Sequence, residues 1–169
     1  MKTIASFQVD HTRIVPGIFV SRRDRAGARW ITTFDIRMKR PNVEPAIHPN
    51  AMHTVEHVVA TYLRNSRFAD RVVYWGPMGC LTGCYFITNT ARKIGPRDIA
   101  GLIRESFRFM ADYDGDVPGA TPANCGNWLL HDLPMARWEA AQFLSRKWSY
   151  TYPKTQRARA AKGMTFFDA

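Results

Sequence analysis

Five consecutive residues, His53-Thr54-Val55-Glu56-His57, constrain this chain more than any others. They read H-x-x-E-H. Two histidines four apart fall on one side of an α-helix, within reach of a single divalent metal. Glu56 projects from the same side, where a carboxylate can move protons beside that metal. The flanking residues agree with a helix. From His53 to Asn65, the residues Val55, Val58, Val59, Tyr62 and Leu63 recur at i, i+3, i+4, i+7 and i+8 and make one apolar face. His53, Glu56 and His57 lie on the opposite arc with Ala60 and Arg64. The spacing predicts a helix anchored in a core with its metal-binding side turned to a cavity. The plainer reading of the same spacing is an amphipathic helix with a wet polar side.

Two ligands do not complete a site. H-x-x-E-H is the signature of inverzincin metallopeptidases, which would add a distant carboxylate. No such acidic ligand stands out here, whereas Ala123-Asn124-Cys125-Gly126-Asn127 offers a thiol. A second chemical feature is the loop Gly76-Pro77-Met78-Gly79-Cys80-Leu81-Thr82-Gly83. Its glycines let backbone approach a ligand closely. Cys80 can serve there as nucleophile or proton carrier if a metal or cation stabilises its thiolate. Cys84 opens a strand and alternates with Tyr85, so it reads as a small buried hydrophobe. A closed structural zinc site built from these cysteines and histidines is the non-enzymatic alternative, a binding module using the basic tail. The Cys80-x3-Cys84 spacing is weak support for it, and it leaves Glu56 without a task.

A chain of 169 residues with 46% hydrophobic content is one ordinary domain. No stretch approaches the ~20 apolar residues of a membrane span. Met1 to Gln8 lacks the apolar run of a signal peptide. Three cysteines in a chain of this size fit free or metal-bound thiols and a cytoplasmic setting. The net charge of +10 raises the question of nucleic acid. Residues 140–169 hold Arg146, Lys147, Lys154, Arg157, Arg159 and Lys162 against Asp168, so half of that charge sits at one end. With no nucleic-acid module beside it, this end reads as an appendage, 148–169, rather than a nucleic-acid surface.

The body is mixed. Ser6–Asp10 and Ile18–Arg22 read as strands around a Pro16-Gly17 turn. Trp30–Lys39 is the clearest strand, with Phe34, Ile36 and Met38 alternating with Asp35, Arg37 and Lys39. Pro41, Pro45 and Pro49 make an irregular approach to the His53 helix. Arg71–Trp75 and Cys84–Asn89 are two more strands. A second helix is predicted over about Pro96 to Tyr113 with Ile99, Leu102, Ile103, Phe107 and Met110 inward. A third starts near Pro134, with Met135, Trp138 and Ala141 as its core positions. Neighbouring strands with helices kept apart predict an α+β fold, an antiparallel sheet packed against helices.

Taken in order, Ser6-Phe-x-x-Asp-His11-Thr12, Phe34-Asp35-Ile36-Arg37, His53-Thr-Val-Glu56-His57, Gly79-Cys80-x-Thr-Gly83 and Cys125-Gly-Asn-x-x-x-His131-Asp132-Leu133 strongly resemble the S-ribosylhomocysteine lyase family. These are the bacterial synthases of the autoinducer-2 precursor. The resemblance covers about residues 4–147, the expected catalytic domain being 1–147. It implies a compact α+β homodimer with two sites at the subunit interface. It implies one divalent metal per subunit, held by His53, His57 and Cys125 with an open fourth position. Iron is the implied native metal, with zinc or cobalt as substitutes.

The resemblance also implies a reaction. The family shifts the sugar carbonyl of S-ribosylhomocysteine in two proton shuttles and then releases homocysteine by β-elimination. Enediolates lie on that route, and a Lewis-acidic metal suits them. Glu56 and Cys80 match the general acid/base groups, with Arg37 and the metal stabilising the thiolate. Ser6, His11 and Arg37 match positions that line the substrate pocket, the first two reaching in from the partner subunit. His131 and Asp132 match a segment that holds the Cys125 loop, and His48 has no matching role, so it reads as structural. Where many members carry an acidic residue shortly before the cysteine loop, this chain has Tyr74-Trp75-Gly76.

Overall fold

Arg29–Arg37 (β2) is the strand around which the rest assembles. In the computed structural model, which describes residues 10–153, β2 pairs with Gly17–Ala26 (β1) on one side and Gly83–Thr90 (β4) on the other, and Val72–Pro77 (β3) closes the far edge. Every pairing between these strands is antiparallel, in the order β1-β2-β4-β3. The β1 strand is longer than its apolar alternation predicts. Gly17 is not in a turn but already paired with Arg37, and the chain reverses instead at Gly27-Ala28, where Gly27 takes φ +59°. The charged run Arg22–Arg25 hides this extension, because pairing with β2 rather than hydrophobic pattern carries the strand to Ala26. The predicted strand Ser6–Asp10 and the pocket residue Ser6 lie outside the described residues, apart from Asp10.

Three helices among the described residues pack on one face of the sheet: Pro49–Arg64 (α1), Pro96–Asp112 (α2) and Leu133–Ser145 (α3). Ile18, Ile36 and Cys84 face each other across neighbouring strands and join Phe34, Phe86 and Trp75 in the core. α1 begins at Pro49, ahead of the expected start, because His48 caps it by accepting from the Asn50 amide. Its buried stripe, Met52, Val55, Val58, Val59 and Leu63, follows the predicted face. The buried side of α2 carries the five predicted residues and Ser106.

α3 departs from prediction. Met135 and Trp138 are exposed, and the buried side is Ala136, Glu139, Ala140 and Phe143. The two alanines bring this helix close to α2, while Trp138 lies over the Lys39 ammonium at 5.1 Å. Lys39 itself is buried, with its ammonium 2.6 Å from the Glu139 carboxylate. The other predicted polar positions of β2, Asp35 and Arg37, are buried as well. The end of the strand, from Phe34 onward, is therefore enclosed on both faces, and Arg37 is not a surface residue.

The chain does not leave the body at Lys147. Trp148 is buried, stacks on Phe143 at 4.5 Å and donates its indole N–H to the Phe143 carbonyl. Ser149 forms a parallel bridge with Gly17 at the β1 edge. Tyr152 then lies on Phe19, 4.5 Å between ring centres and 12° from parallel. Ile18 and Phe19 point to opposite faces of the sheet. Residues 148–152 therefore wrap the β1 edge from the helical face to the other one. No helix among the described residues is long and apolar enough to cross a membrane.

The Lys39–Glu139 pair yields a stability prediction. Lys39→Met should cost about 3–5 kcal/mol, because a buried carboxylate is left unpaired. The double change Lys39→Met/Glu139→Leu should recover most of it. Urea denaturation of both variants is the check; a single variant as stable as the wild type would show that the pair does not bind α3 to the sheet.

Candidate metal centre and thiol site

The histidines of α1 are oriented from behind. His53 donates from Nδ1 to the Leu130 carbonyl and His57 from Nδ1 to the Pro118 carbonyl, each at 2.7 Å. A carbonyl only accepts, so both Nδ1 atoms carry the proton and both Nε2 atoms present a lone pair. Those lone pairs point toward Cys125. Its Sγ lies 3.5 Å from His53 Nε2 and 3.8 Å from His57 Nε2. This is the arrangement in which carbonyls set the tautomer and direction of metal-binding imidazoles.

The loop over α1 supplies the rest. Gly119 adopts φ +71°, the left-handed conformation that glycine allows, where the loop passes His57. The Cys125 amide donates to the Thr121 carbonyl, and the Asn127 amide points at the Cys125 sulfur at 3.5 Å. At the loop's end the Asp132 amide donates to Thr54 Oγ1 at 2.9 Å, and Asp132 caps α3 by accepting from the Met135 amide.

His131 enters the cluster more deeply than its sequence context suggests. It stacks on His53 at 4.2 Å and meets His57 edge-on at 4.9 Å. Thr54 Oγ1 spends its proton on the Asn50 carbonyl, so His131 Nδ1, 3.2 Å away, is the donor to Thr54. His131 Nε2 is then a bare lone pair, buried and without a hydrogen-bond partner. Burial, and next the neighbouring His53 and His57, hold this imidazole below the ordinary histidine value. Donor atoms of His53, His57, Cys125 and His131 all lie within 4.8 Å of one another. Three imidazole nitrogens and a thiol, half-buried and with an orphaned lone pair among them, fit a borderline-soft divalent cation such as Fe2+, Zn2+ or Co2+. Among the described residues the cluster includes no carboxylate, the donor an inverzincin-type peptidase would need.

A second group of residues surrounds Cys80. The β3–β4 turn exposes this thiol, and Leu81 next to it takes φ +55°. Gly83 admits no side chain, since a Cβ there would sit 2.3 Å from the Ile36 carbonyl oxygen. Arg37 Nη1 donates to Thr82 Oγ1 at 2.6 Å and lies 3.7 Å from Cys80 Sγ, while Thr82 Oγ1 is 3.1 Å from the same sulfur. Asp35 takes the other edge of the guanidinium, at 3.1 Å from Nε and 2.6 Å from Nη2. Burial opposes the charge on Arg37, but Asp35 outweighs it and the guanidinium is held above its ordinary value. A fixed cation thus stands beside an accessible thiol.

Glu56 is half-buried on α1 between the two metal-cluster histidines. Burial, then the charges of Glu56, Asp35 and Cys80, push the Cys84 thiol far up, so Cys84 is an inert core thiol as expected. Burial and the Glu56 charge likewise raise the Tyr74 phenol, whose ring lies over Gly76. The structure thus joins His53, His57 and Cys125 in one group and Arg37 and Cys80 in another. His11 lies on a different element, the 3-10 turn His11–Arg13. His48 is a helix cap, a structural part as its sequence context suggests. The sequence reading missed the buried hydroxyl of Thr54 and the Pro118 and Leu130 carbonyls. Only the first has a side-chain signal, a threonine one residue after His53.

The S-Ribosylhomocysteinase (LuxS) family model matches residues 4–153. The S-ribosylhomocysteine lyase of Phocaeicola vulgatus is 58% identical over 145 residues, 85% of this chain and 89% of the relative. That of Porphyromonas gingivalis is 53% identical over 145 residues, covering 85% and 90%. That of Clostridium beijerinckii is 49% identical over 146 residues, covering 86% and 91%.

The donor geometry predicts the effect of losing the thiol. Cys125→Ala should strip the metal or weaken it by orders of magnitude, with the helical core intact. Metal analysis of the purified variant decides this, and one tightly held ion per chain would remove Cys125 from the ligand set.

Proposed function

From membership of the S-ribosylhomocysteinase (LuxS) family, to which this chain belongs, we propose that it cleaves S-ribosylhomocysteine to homocysteine and 4,5-dihydroxy-2,3-pentanedione. The observation that carries this reading is the convergence of His53 Nε2, His57 Nε2 and Cys125 Sγ, with both imidazoles tied back through Nδ1. In this reading those three residues hold one divalent metal per subunit, iron by resemblance, and His131 offers a fourth donor. When bound, the metal supplies Lewis acidity to the oxygens of the ribosyl chain.

The remaining work falls to the protein's own groups. The thioether is several carbons from the sugar aldehyde, so carbon–sulfur cleavage needs the carbonyl to migrate first. Each migration removes a proton from one carbon and returns a proton to its neighbour. Glu56 and Cys80 are the proposed carriers, Glu56 from α1 and Cys80 from the β3–β4 turn. Arg37 keeps a positive charge against the Cys80 thiolate while that proton is away. Once the carbonyl stands next to the α-carbon, with the sulfur on the β-carbon beyond it, removal of the α-proton forms the Cα–Cβ double bond and expels homocysteine as the thiolate leaving group, which is then protonated. Ser6, His11 and Arg37 are the proposed substrate-binding side chains. Ser6 and His11 reach the site of a partner subunit in the proposed homodimer. Free thiols at Cys80 and Cys84 suit a reducing, cytoplasmic setting. Of the expected basic tail 148–169, residues 154–169, with Lys154, Arg157, Arg159 and Lys162 against Asp168, lie outside the described residues.

Metal-loaded protein incubated with S-ribosylhomocysteine should release free thiol; absence of release across iron-, cobalt- and zinc-loaded samples would refute the activity. Cys80→Ala and Glu56→Gln should each lower homocysteine release by 100-fold or more, about the contribution of a positioned proton carrier, while keeping metal and fold. Near wild-type turnover in Cys80→Ala would reduce Cys80 to a loop residue.

A mixing experiment tests the shared site. Chains lacking Ser6 and His11, combined with chains carrying Glu56→Gln, should regain activity in heterodimers. Heterodimers that form without any recovered turnover would argue for a site contained in one subunit.

A further inference from the structure

We propose that Tyr152, beyond the sequence motifs and far from them along the chain, is a positioning residue for the Cys80 thiol. It acts through Asp35 and Arg37. The inference rests on the role given to Cys80 above.

The connection is continuous. The Tyr152 hydroxyl donates to Asp35 Oδ2 at 3.0 Å. That oxygen also receives Arg37 Nη2 at 2.6 Å, and Asp35 Oδ1 receives Arg37 Nε at 3.1 Å. With Nε and Nη2 taken by the carboxylate, the planar guanidinium has one orientation left for Nη1, toward Thr82 Oγ1 and Cys80 Sγ. The carboxylate is thus what aims the cation, and Tyr152 is what holds the carboxylate from its open side. Burial first, and then the Asp35 charge, keep the proton on the Tyr152 phenol, so it is a donor throughout the working range of pH.

The geometry has the rigidity a positioning role needs. Phe19, Asp35 and Tyr85 are successive cross-strand neighbours on β1, β2 and β4, and Tyr152 stacks on the first of them. The ring is held in place by the docked segment before it. Trp148 is anchored in the core, and Ser149 presses so closely on Gly17 that a Cβ there would lie 2.1 Å from the Ser149 carbonyl oxygen. The hydrogen bonds of Cys80 go to Arg37 and Thr82, so the effect of this segment passes through the ion pair. Arg37 from β2 and Cys84 and Tyr85 from β4 feel the charge of Cys80.

The test is Tyr152→Phe in the full-length, metal-loaded protein. This change removes one oxygen and keeps the stack on Phe19. Iodoacetamide labelling at neutral pH, read at Cys80 by peptide mass mapping, reports how much reactive thiolate the site holds. The expected result is labelling several-fold slower than in the wild type, with melting temperature and metal content unchanged. A segment that merely braces the fold would leave the rate unchanged or raise it as the turn loosens. Asp35→Asn should slow labelling further, and adding Tyr152→Phe to it should change nothing more, since the route passes through the carboxylate. Wild-type or faster labelling in Tyr152→Phe overturns the proposal, as does a full-sized tyrosine effect in the Asp35→Asn background. Labelling does not require turnover, so a failure of homocysteine release would count against the proposed activity while this result stood separately.

Discussion

The site depends on one side of α1 holding down a segment with no regular structure. Residues between α2 and α3 form neither helix nor strand. They are tied to α1 by His53 to the Leu130 carbonyl, by His57 to the Pro118 carbonyl, and by Thr54 to His131 and the Asp132 amide. His53 and His57, two of the candidate metal donors, are thus loop anchors as well. An imidazole that let go of its carbonyl would lose its tautomer and release the segment carrying Cys125. The cost of ordering that segment is offset by the core beneath it, since Val55, Val58 and Val59 fix the opposite side of α1.

What the sequence disclosed follows from which interactions leave a local mark. The α1 stripe, the inner face of α2 and the Phe34/Ile36 alternation of β2 each reflect burial repeated at a fixed period, and periodicity reports that directly. The pairing of His53 with His57 was legible through spacing on one helix; Cys125 joined them through the resemblance, and the structure brings its sulfur beside both imidazoles. Pairing-driven structure was not. β1 reaches Ala26 only because β2 lies beside it, and the Arg22–Arg25 run carries no sign of this. On α3 the large residues Met135 and Trp138 suggested the core face, whereas close helix packing selected the small ones, Ala136 and Ala140. The position of His131 depends on ring stacking and a shared hydroxyl, neither of which one sequence displays.

The burial of the end of β2 on both faces has the same origin. Asp35 and Arg37 alternate with apolar residues as a solvated face would, yet Tyr152 covers them from 117 residues further along the chain. Two charges in a buried place persist because they neutralise one another and because every edge of the guanidinium is used. The polar half of the alternation is therefore a second, smaller interior, organised by hydrogen bonds where the first is organised by packing. The family model extends over this segment, to residue 153.

The bridge between Gly17 and Ser149 has a consequence for how the molecule behaves in a crowd. An open sheet presents unpaired backbone at its outer strands, and a second molecule can add there as another strand. Here the start of β1 is already occupied by the chain's own Ser149, through hydrogen bonds in both directions with Ile18 and Pro16. The rest of that edge carries Arg22, Arg23, Asp24 and Arg25 beyond a bulge between Val20 and Arg22. At the far side, β3 is short and ends in Pro77. Among the described residues, both margins of the sheet thus carry features that hinder the addition of another strand.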